Sequence, residues 1–281
     1  MVTQPVIVGF DGSIDATAAA VWAVDEAARR GAPVRLICAC QPSAASHDAA
    51  WPAALARARA EAAVEAGIRA ARAARPAVAV TGTVLAGPPH VILTMQSRHA
   101  SLLVVGSRGP DRFTGPVLGS VGVALAAHAH CPVVVVREPE RPSVGLGHVL
   151  VGVDGSAISL RALAFGFEHA ERRDLPLHAI EVWAPPLHHE SDAVPEREHG
   201  HLQATIATWQ EKFPRVPVTW EVARGPAGEV LVGASRYAHL AVVGPRGLGG
   251  YSQSPLGSVS QHLLRYGHCP VAVVREPADY G

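Results

Sequence analysis

Three glycines with a trailing serine recur at the same spacing in each half of the chain. Two glycines stand three positions apart, a third follows after nine further residues, and serine comes next. Glycine lets the backbone approach an anion closely, and the start of a helix offers N–H groups to a phosphate. The repeat therefore predicts two phosphate cradles, and so two nucleotides or similar anions per chain. The first cradle comprises Gly106, Gly109, Gly119 and Ser120, and the second Gly244, Gly247, Gly257 and Ser258.

The only lysine of the sequence, Lys212, lies far from both glycine motifs. In a P-loop the lysine directly follows the last glycine and reaches the β- and γ-phosphates. Ser120 and Ser258 occupy that position here. The sequence therefore argues against phosphate hydrolysis of the P-loop type.

An aspartate–glycine pair also occurs in both halves, at the end of a short apolar run. Val8–Ser13 returns as Val151–Ser156, which places Asp11 and Asp154 at equivalent positions. Carboxylates at a nucleotide site are suited to ribose hydroxyls or to a phosphate-bound Mg²⁺. Aspartate followed by glycine also shapes a turn without any ligand. Beside an intact glycine motif, we favour ligand contact.

The repeat extends along most of the chain and predicts its domain organisation. His130–Val133, for example, returns as His268–Val271. We expect two domains, residues 1–138 and 148–281. The segment between them, about residues 139–147, is rich in Pro and Gly and lacks hydrophobic periodicity, as a linker does.

Alternation of apolar runs with helix-length segments predicts the fold class. Near-continuous Val, Leu and Ile runs are typical of parallel strands covered on both faces. We expect an α/β protein of two tandem doubly wound domains, each a five-stranded parallel sheet of order 3-2-1-4-5 with helices on both faces. Ligands of such sheets bind where the strand order reverses, between strands one and four. Asp11 would meet Gly106 there, and Asp154 would meet Gly244.

Bulk composition mainly excludes classes of partner and compartment. Lys plus Arg and Asp plus Glu number 24 each, so no basic field argues for nucleic acid or a membrane surface. The start lacks a charged region followed by a long apolar run, and no apolar stretch reaches membrane-spanning length. The four cysteines do not form a disulfide framework. We expect a cytoplasmic protein without nucleic-acid or membrane partners.

The two motifs together resemble those of the universal stress protein family. G-x2-G-x9-G-S, preceded by V-G-x-D-G-S, is similar to the nucleotide-binding signature of ATP-binding members, and the resemblance covers both halves and nearly the whole chain. It implies a tandem-domain protein that binds ATP, with Mg²⁺ as a candidate accompanying ion. The implied ATP contacts are Gly9, Asp11, Gly106, Ser107, Arg108, Gly109, Gly119, Ser120 and Val121 in the first half, and Gly152, Asp154, Gly244, Pro245, Arg246, Gly247, Gly257, Ser258 and Val259 in the second.

The two cradles depart from that pattern in different ways. Pro245 stands where the first half has Ser107, and proline removes a backbone donor. Asp111 in the first half would repel phosphate, an effect that Arg112 partly offsets. We expect unequal affinities rather than loss of either site. The serine after each third glycine is expected to cap its helix and to donate its hydroxyl to phosphate.

Other candidate chemistry is weaker. Histidines and glutamates cluster between Pro185 and Leu202, at His188, His189, Glu190, Glu198, His199 and His201. That segment has no equivalent cluster in the first half, and we favour a solvated loop over a metal site. Cys38 and Cys40 share one face of a strand and suit a buried position better than redox chemistry. No catalytic residue and no metal ligand is predicted.

The preferred hypothesis is an ATP-binding stress-response regulator rather than an enzyme. Two sites per chain would act as an occupancy-dependent switch with little or no hydrolysis, and slow hydrolysis stays open. Its partners would be ATP, an unidentified regulatory protein and, as an open alternative, a second copy in a homodimer. Two other classes stay open: an enzyme of the adenine-nucleotide α-hydrolase type, and a nucleotide-free interaction scaffold.

Overall fold

Each half of the chain builds one parallel β-sheet in the computed structural model. The structure describes residues 3–40, 53–109, 118–137, 147–183, 196–248 and 254–275. The described residues up to 137 form one unit and those from 147 form a second. Residues 139–146 of the expected linker, and the chain ends, lie outside the described residues, so the domain boundaries stay a prediction.

The first unit alternates strands and helices from end to end. Its strand order is β3-β2-β1-β4-β5, with every neighbouring pair parallel. Helices α1 and α2 pack on one face, and α3 and α4 on the other. The elements are β1 (Val6–Gly9), α1 (Ile14–Arg30), β2 (Val34–Cys40), α2 (Ala53–Ala74), β3 (Val80–Ala86), α3 (Pro89–Gln96), β4 (Leu102–Gly106), α4 (Ser120–His128) and β5 (Val133–Val136).

The second unit repeats this topology. Its strand order, β8-β7-β6-β9-β10, is again parallel throughout and equivalent to 3-2-1-4-5. The predicted fold class is therefore confirmed. The elements are β6 (His148–Val153), α5 (Ala157–Arg173), β7 (Leu177–Trp183), α6 (Glu196–Lys212), β8 (Val218–Arg224), α7 (Ala227–Ala234), β9 (Ala238–Val243), α8 (Ser258–Tyr266) and β10 (Val271–Val273).

The first helix of each unit has well-defined ends. Ser13 caps α1 by accepting a hydrogen bond from the Ala16 N–H at 3.1 Å, and Ser156 caps α5 through the Ser159 N–H at 3.1 Å. Gly31 ends α1 in the left-handed conformation at φ 62°. Such caps satisfy backbone groups that a helix end leaves unpaired. They fix where each helix starts, directly after the aspartate–glycine turn.

Burial of small and branched apolar side chains joins these helices to their sheets. Residues of α1 at spacings of three and four are fully or almost fully buried against the strands, as an amphipathic helix requires. The central strands β1 and β4 are buried on both faces. This packing holds the carboxyl ends of β1 and β4 side by side, where the predicted site lies. The buried apolar residues of α1 are Ala16, Ala19, Ala20, Ala23, Val24 and Ala27.

Candidate functional site

The ends of β1 and β4 bring the two sequence motifs of the first half together. Gly9 pairs in register with Val105, one residue before the glycine that ends β4. A Cβ built on Gly109 would lie 3.4 Å from Asp11 Oδ2. In the second unit the Leu248 N–H donates to Asp154 Oδ2 at 2.8 Å across 94 positions of sequence. Both predicted encounters of aspartate and glycine loop therefore occur.

A cavity of about 180 Å³ opens at this point in the first unit. All nine residues predicted for the first site lie in its wall. The sequence reasoning missed an apolar part of that wall, formed by residues of β2, by Pro89 and Leu93 of α3, and by Phe10. The predicted lining residues are Gly9, Asp11, Gly106, Ser107, Arg108, Gly109, Gly119, Ser120 and Val121.

The second unit has a larger cavity of about 590 Å³ at the equivalent place. Its wall includes eight of the nine residues predicted there. Pro245 is the exception, and its carbonyl accepts hydrogen bonds from Gly257 N at 2.7 Å and Ser260 Oγ at 2.9 Å. Glu181 and Trp183 of β7 also line this cavity. They were missed because their counterparts, Cys38 and Cys40, carried no sign of a ligand site.

The aspartate of each motif forms the turn that leads into the next helix. Asp11 Oδ1 accepts the Ser13 N–H at 2.9 Å, and Asp154 Oδ1 accepts the Ser156 N–H at 3.0 Å. The glycine between them has φ near +80° in both turns, which side chains resist. Each carboxylate thus stabilises its turn and also lines a cavity. Ligand contact stays a prediction.

The two aspartates differ in the hydrogen bonds that their carboxylates accept. Burial acts to raise the pKa of Asp154, but hydrogen bonds from Ser156, from the Leu248 N–H and from Ser159 together lower that pKa. In the first half, Pro110 stands at the position of Leu248 and has no N–H to donate. Asp154 therefore ties two loops together through a hydrogen bond that the first half cannot form.

Gly119 and Gly257, not the serines after them, are the N-caps of α4 and α8. The expectation that Ser120 caps its helix is therefore wrong. Gly119 N donates to the Ser107 carbonyl at 2.9 Å, which closes the glycine loop and uses this N–H group. The following three residues, Ser120–Gly122, line the cavity, and their N–H groups have no partner within the helix. The cradle thus combines a helix N-terminus with the described part of the glycine loop, and this hydrogen bond joins the two.

Gly106 is required by a neighbouring helix as well as by the cavity. A Cβ at this position would lie 2.7 Å from the Asp15 carbonyl carbon and 2.8 Å from the Ala16 nitrogen. The sequence attributes this glycine to close approach of phosphate or to a positive φ, and Gly106 has no positive φ in the structure. The contacts add a second reason, the packing of β4 against the first turn of α1.

A buried charge lies beside the first cradle. The Asp15 side chain is 4% exposed, and its Oδ2 accepts Ser107 Oγ at 2.7 Å and Arg108 Nε at 3.1 Å. Ile158 occupies the equivalent position in the second unit. There Arg246 lines the cavity, and the pKa of Arg275 is lowered by burial and by the nearby charge of Arg246. The first cradle therefore has a carboxylate beside its glycine loop that the second lacks, whereas the second has Glu181 in its wall where the first half has Cys38.

The cysteines are free thiols in this fold. Burial raises the pKa of Cys38 to about 11, with smaller contributions from Asp11 and Cys40. Burial raises that of Cys131 to about 12. Thiols with such pKa values are poor nucleophiles near neutral pH. Their positions agree with packing roles.

The histidine-rich segment of the second half is partly helical. From Glu196 onward it belongs to α6, so the expected solvated loop is wrong for that part. His201 lies against the aspartate–glycine turn, 3.1 Å from where a Cβ of Gly155 would be. His188, His189 and Glu190 lie outside the described residues. Among the residues the structure describes, no group of three His, Cys, Asp or Glu side chains could hold a metal ion.

Comparison with known proteins agrees with this architecture. The model of the universal stress protein family matches residues 3–137 and again residues 145–275. The chain belongs to the universal stress protein family. Its two matches make it a tandem-domain member, as the sequence predicted. Across the described ranges, no helix is long and apolar enough to cross a membrane.

Similar proteins of the same family cover the chain almost from end to end. A universal stress protein of Mycobacterium tuberculosis H37Rv is 34% identical over 288 residues, spanning 96% of each chain. A second one from that strain is 32% identical over 288 residues, spanning 96% of this chain and 97% of the other. The crystal structure of a universal stress protein from Archaeoglobus fulgidus has a TM-score of 0.75 at 19% identity, covering 99% of this chain and 98% of that one. The chain therefore shares its fold with that protein.

Proposed function

We propose that this universal stress protein is a regulator that binds ATP at two sites, one in each unit. The observation that carries the proposal is the same in both units: a helix N-terminus, a closed glycine loop and an arginine line one cavity. N–H groups at a helix start and the helix dipole favour anions. The arginines are Arg108 and Arg246, and the helix starts are Ser120–Gly122 and Ser258–Ser260.

Each part of ATP has a chemically suitable wall in these cavities. Phosphates suit the helix start and the arginine. Ribose hydroxyls, or Mg²⁺ on the phosphates, suit the carboxylates of Asp11 and Asp154. The base suits the apolar residues of β2 and β7, such as Ile37 and Ile180. Cavities of this kind, largely apolar with a few polar groups, are typical of small-molecule sites.

Occupancy, rather than hydrolysis, would carry the signal. The lysine of the chain lies over the Trp209 ring at 4.6 Å, so no lysine serves either cradle. A bound ligand shifts a conformational equilibrium without being consumed if it binds one state more tightly. In our proposal the shift changes self-association or the binding of a regulatory protein partner in the cytoplasm.

Calorimetry on protein stripped of nucleotide tests this proposal. We expect two ATP molecules per chain, with unequal affinities. Gly119→Asp and Gly257→Asp should each remove one site. Both backbones have φ and ψ values that any residue adopts. Asp is also a preferred N-cap, so the fold should be kept while a carboxylate repels phosphate.

The matched controls are Gly119→Asn and Gly257→Asn. Asparagine caps a helix equally well and has nearly the same shape, but it carries no charge. The Asn variants should retain far more ATP binding than the Asp variants. Stripped wild-type protein that binds no ATP would falsify the proposal. Equal binding by the Asp variants and the wild type would show that phosphate does not sit at the helix starts.

A further inference from the structure

Asp15 gives the first cradle a buried negative charge. Its side chain is 4% exposed and accepts hydrogen bonds from Ser107 Oγ and Arg108 Nε, two residues of the glycine loop. Arg108 also lines the cavity, where its side chain is 39% exposed. The positive charge that a ligand meets at Arg108 is therefore offset by a carboxylate that water screens little.

The second cradle is built without that carboxylate. Ile158 takes the place of Asp15, and its Cγ2 would lie 2.6 Å from a Cβ on Gly244. Pro245 takes the place of Ser107 and so offers no hydroxyl to an acid at position 158. Arg246 lines the cavity. Burial, and then the charge of the nearby Arg246, lower the pKa of Arg275. The glycine loop of the second cradle thus carries one negative charge fewer than that of the first, while Glu181 adds a carboxylate at the β7 wall, the wall that suits the base.

This difference acts on the part of a nucleotide that varies in charge. Each further phosphate adds roughly one negative charge to an adenine nucleotide at neutral pH. One fixed charge within about 8 Å of the phosphates is worth on the order of 1 kcal/mol in a partly solvated site. Removing or adding the carboxylate should therefore change the binding affinity most for the triphosphate and least for the monophosphate.

We propose that the two sites sort adenine nucleotides by phosphate charge, with the second favouring ATP over AMP more strongly than the first, and that Asp15 is the residue that sets this difference. The inference rests on the proposed function, since it assumes nucleotides at both cradles. The volumes agree with it, because the second cavity measures about 590 Å³ and the first about 180 Å³. The larger ligand has more room where the charge also favours it.

Affinities for ATP and AMP, measured one site at a time, test the proposal. Gly257→Asp protein reports the first site, and Gly119→Asp protein the second. The ATP-to-AMP affinity ratio should be higher at the second site. In the first, Asp15→Asn should raise that ratio by ~fivefold. Asparagine keeps an oxygen for Ser107 and Arg108 but removes the charge.

The reciprocal change keeps the test informative if Asp15→Asn does not fold. Ile158→Asp in the second site should lower the ATP-to-AMP ratio by a similar ~fivefold, whereas Ile158→Asn should leave the ratio near the parent value. Equal ratios at the two parent sites would overturn the inference while leaving two-site ATP binding intact. The inference would also be overturned if neither Asp15→Asn nor Ile158→Asp changed the ATP-to-AMP affinity ratio. Absence of any nucleotide at the parent sites would refute the proposed function itself, and with it this inference.

Discussion

At the scale of single residues, Gly106 and Gly244 let the ends of β4 and β9 lie close to the first turns of α1 and α5. A Cβ on Gly106 would meet the backbone of Asp15 and Ala16 at 2.7 and 2.8 Å. A Cβ on Gly244 would instead meet the Ile158 side chain at 2.6 Å and the Arg246 carbonyl at 3.1 Å. A side-chain tip moves more easily than a helix backbone. Equivalent glycines therefore tolerate change to different degrees.

Alanine substitution should destabilise the protein more at Gly106 than at Gly244. Gly106→Ala is expected to destabilise the first unit by about 2–3 kcal/mol, because overpacking here displaces α1. Gly244→Ala is expected to cost less, about 1 kcal/mol, because Ile158 can rotate. Urea unfolding of both variants measures this. Gly119→Ala serves as the control, since its Cβ would meet the Ser107 carbonyl at 3.5 Å, an ordinary contact.

At the scale of elements, two histidines lie together at the amino ends of β6 and β7, at positions where the first half has no histidine. The rings of His148 and His178 pack edge to face at 5.4 Å. His148 Nε2 is buried without a hydrogen-bond partner among the described residues. Burial, and then the charge of His178, lower the pKa of His148 below its ordinary 6.5. Folding therefore favours the neutral ring.

The neighbourhood of His148 contains further titratable groups. His178 contacts Glu221 of β8 at 3.4 Å through Nε2. On the other side lies β9, which carries His239, and α5 packs on β6 and carries His169, stacked on His239 at 5.7 Å. Glu221 is the carboxylate that acts on His178, and it is 55% exposed. Protonation of His148 would thus place a positive charge in a half-buried position beside His178.

Acid should weaken the second unit through this cluster. A depressed histidine pKa contributes stability that is fully present above 6.5, the ordinary value, and that is lost as the pH falls through the lower pKa of the folded state. The urea concentration at the unfolding midpoint of the wild type should decrease when the pH is lowered from 7.5 to 5.5. His148→Phe keeps an aromatic ring but cannot take a proton, so its midpoint should fall less. Equal acid sensitivity of the two proteins would remove His148 as the cause.

At the scale of the whole molecule, two copies of one topology carry two different cradles. The strand order is the same in both units, yet Asp15 and Ile158, or Ser107 and Pro245, give the loops different charges and hydrogen bonds. Among the described residues, neither cavity wall contains a lysine.

ATP turnover by the purified chain should be very slow. Phosphoryl transfer needs positive charge on the transferred group and an oriented nucleophile. Arg108 and Arg246 supply charge, but Asp11 and Asp154 are engaged by backbone N–H groups in their turns. We expect rates far below the ~1 s⁻¹ at the lower end of typical enzymes. Steady-state phosphate release measures this, with the Gly119→Asp/Gly257→Asp double variant as the contamination control. Turnover near 1 s⁻¹ that the double variant lacks would favour the enzyme alternative.

The amino-acid sequence determined the element order, the sheet topology and the glycine-rich part of each cavity wall. Strands such as Leu102–Gly106 and helices such as Ala53–Ala74 follow from hydrophobic patterns that depend on near neighbours. The repeated motifs then fixed which strand ends carry the glycines and aspartates. Because the carboxyl ends of neighbouring parallel strands meet, this local information sufficed to place the cradles.

Only the tertiary structure decided how the cradle residues are held. In the sequence, Asp15 is an ordinary acidic residue in the first turn of a helix, where the dipole favours it. Its contact with Ser107, 92 positions away, exists because α1 packs on β4. Likewise, the loop closure by Gly119 places the helix cap one residue before the predicted serine. Such contacts depend on the distances between elements, which are fixed by packing across the whole unit and leave no trace in the local pattern of residues.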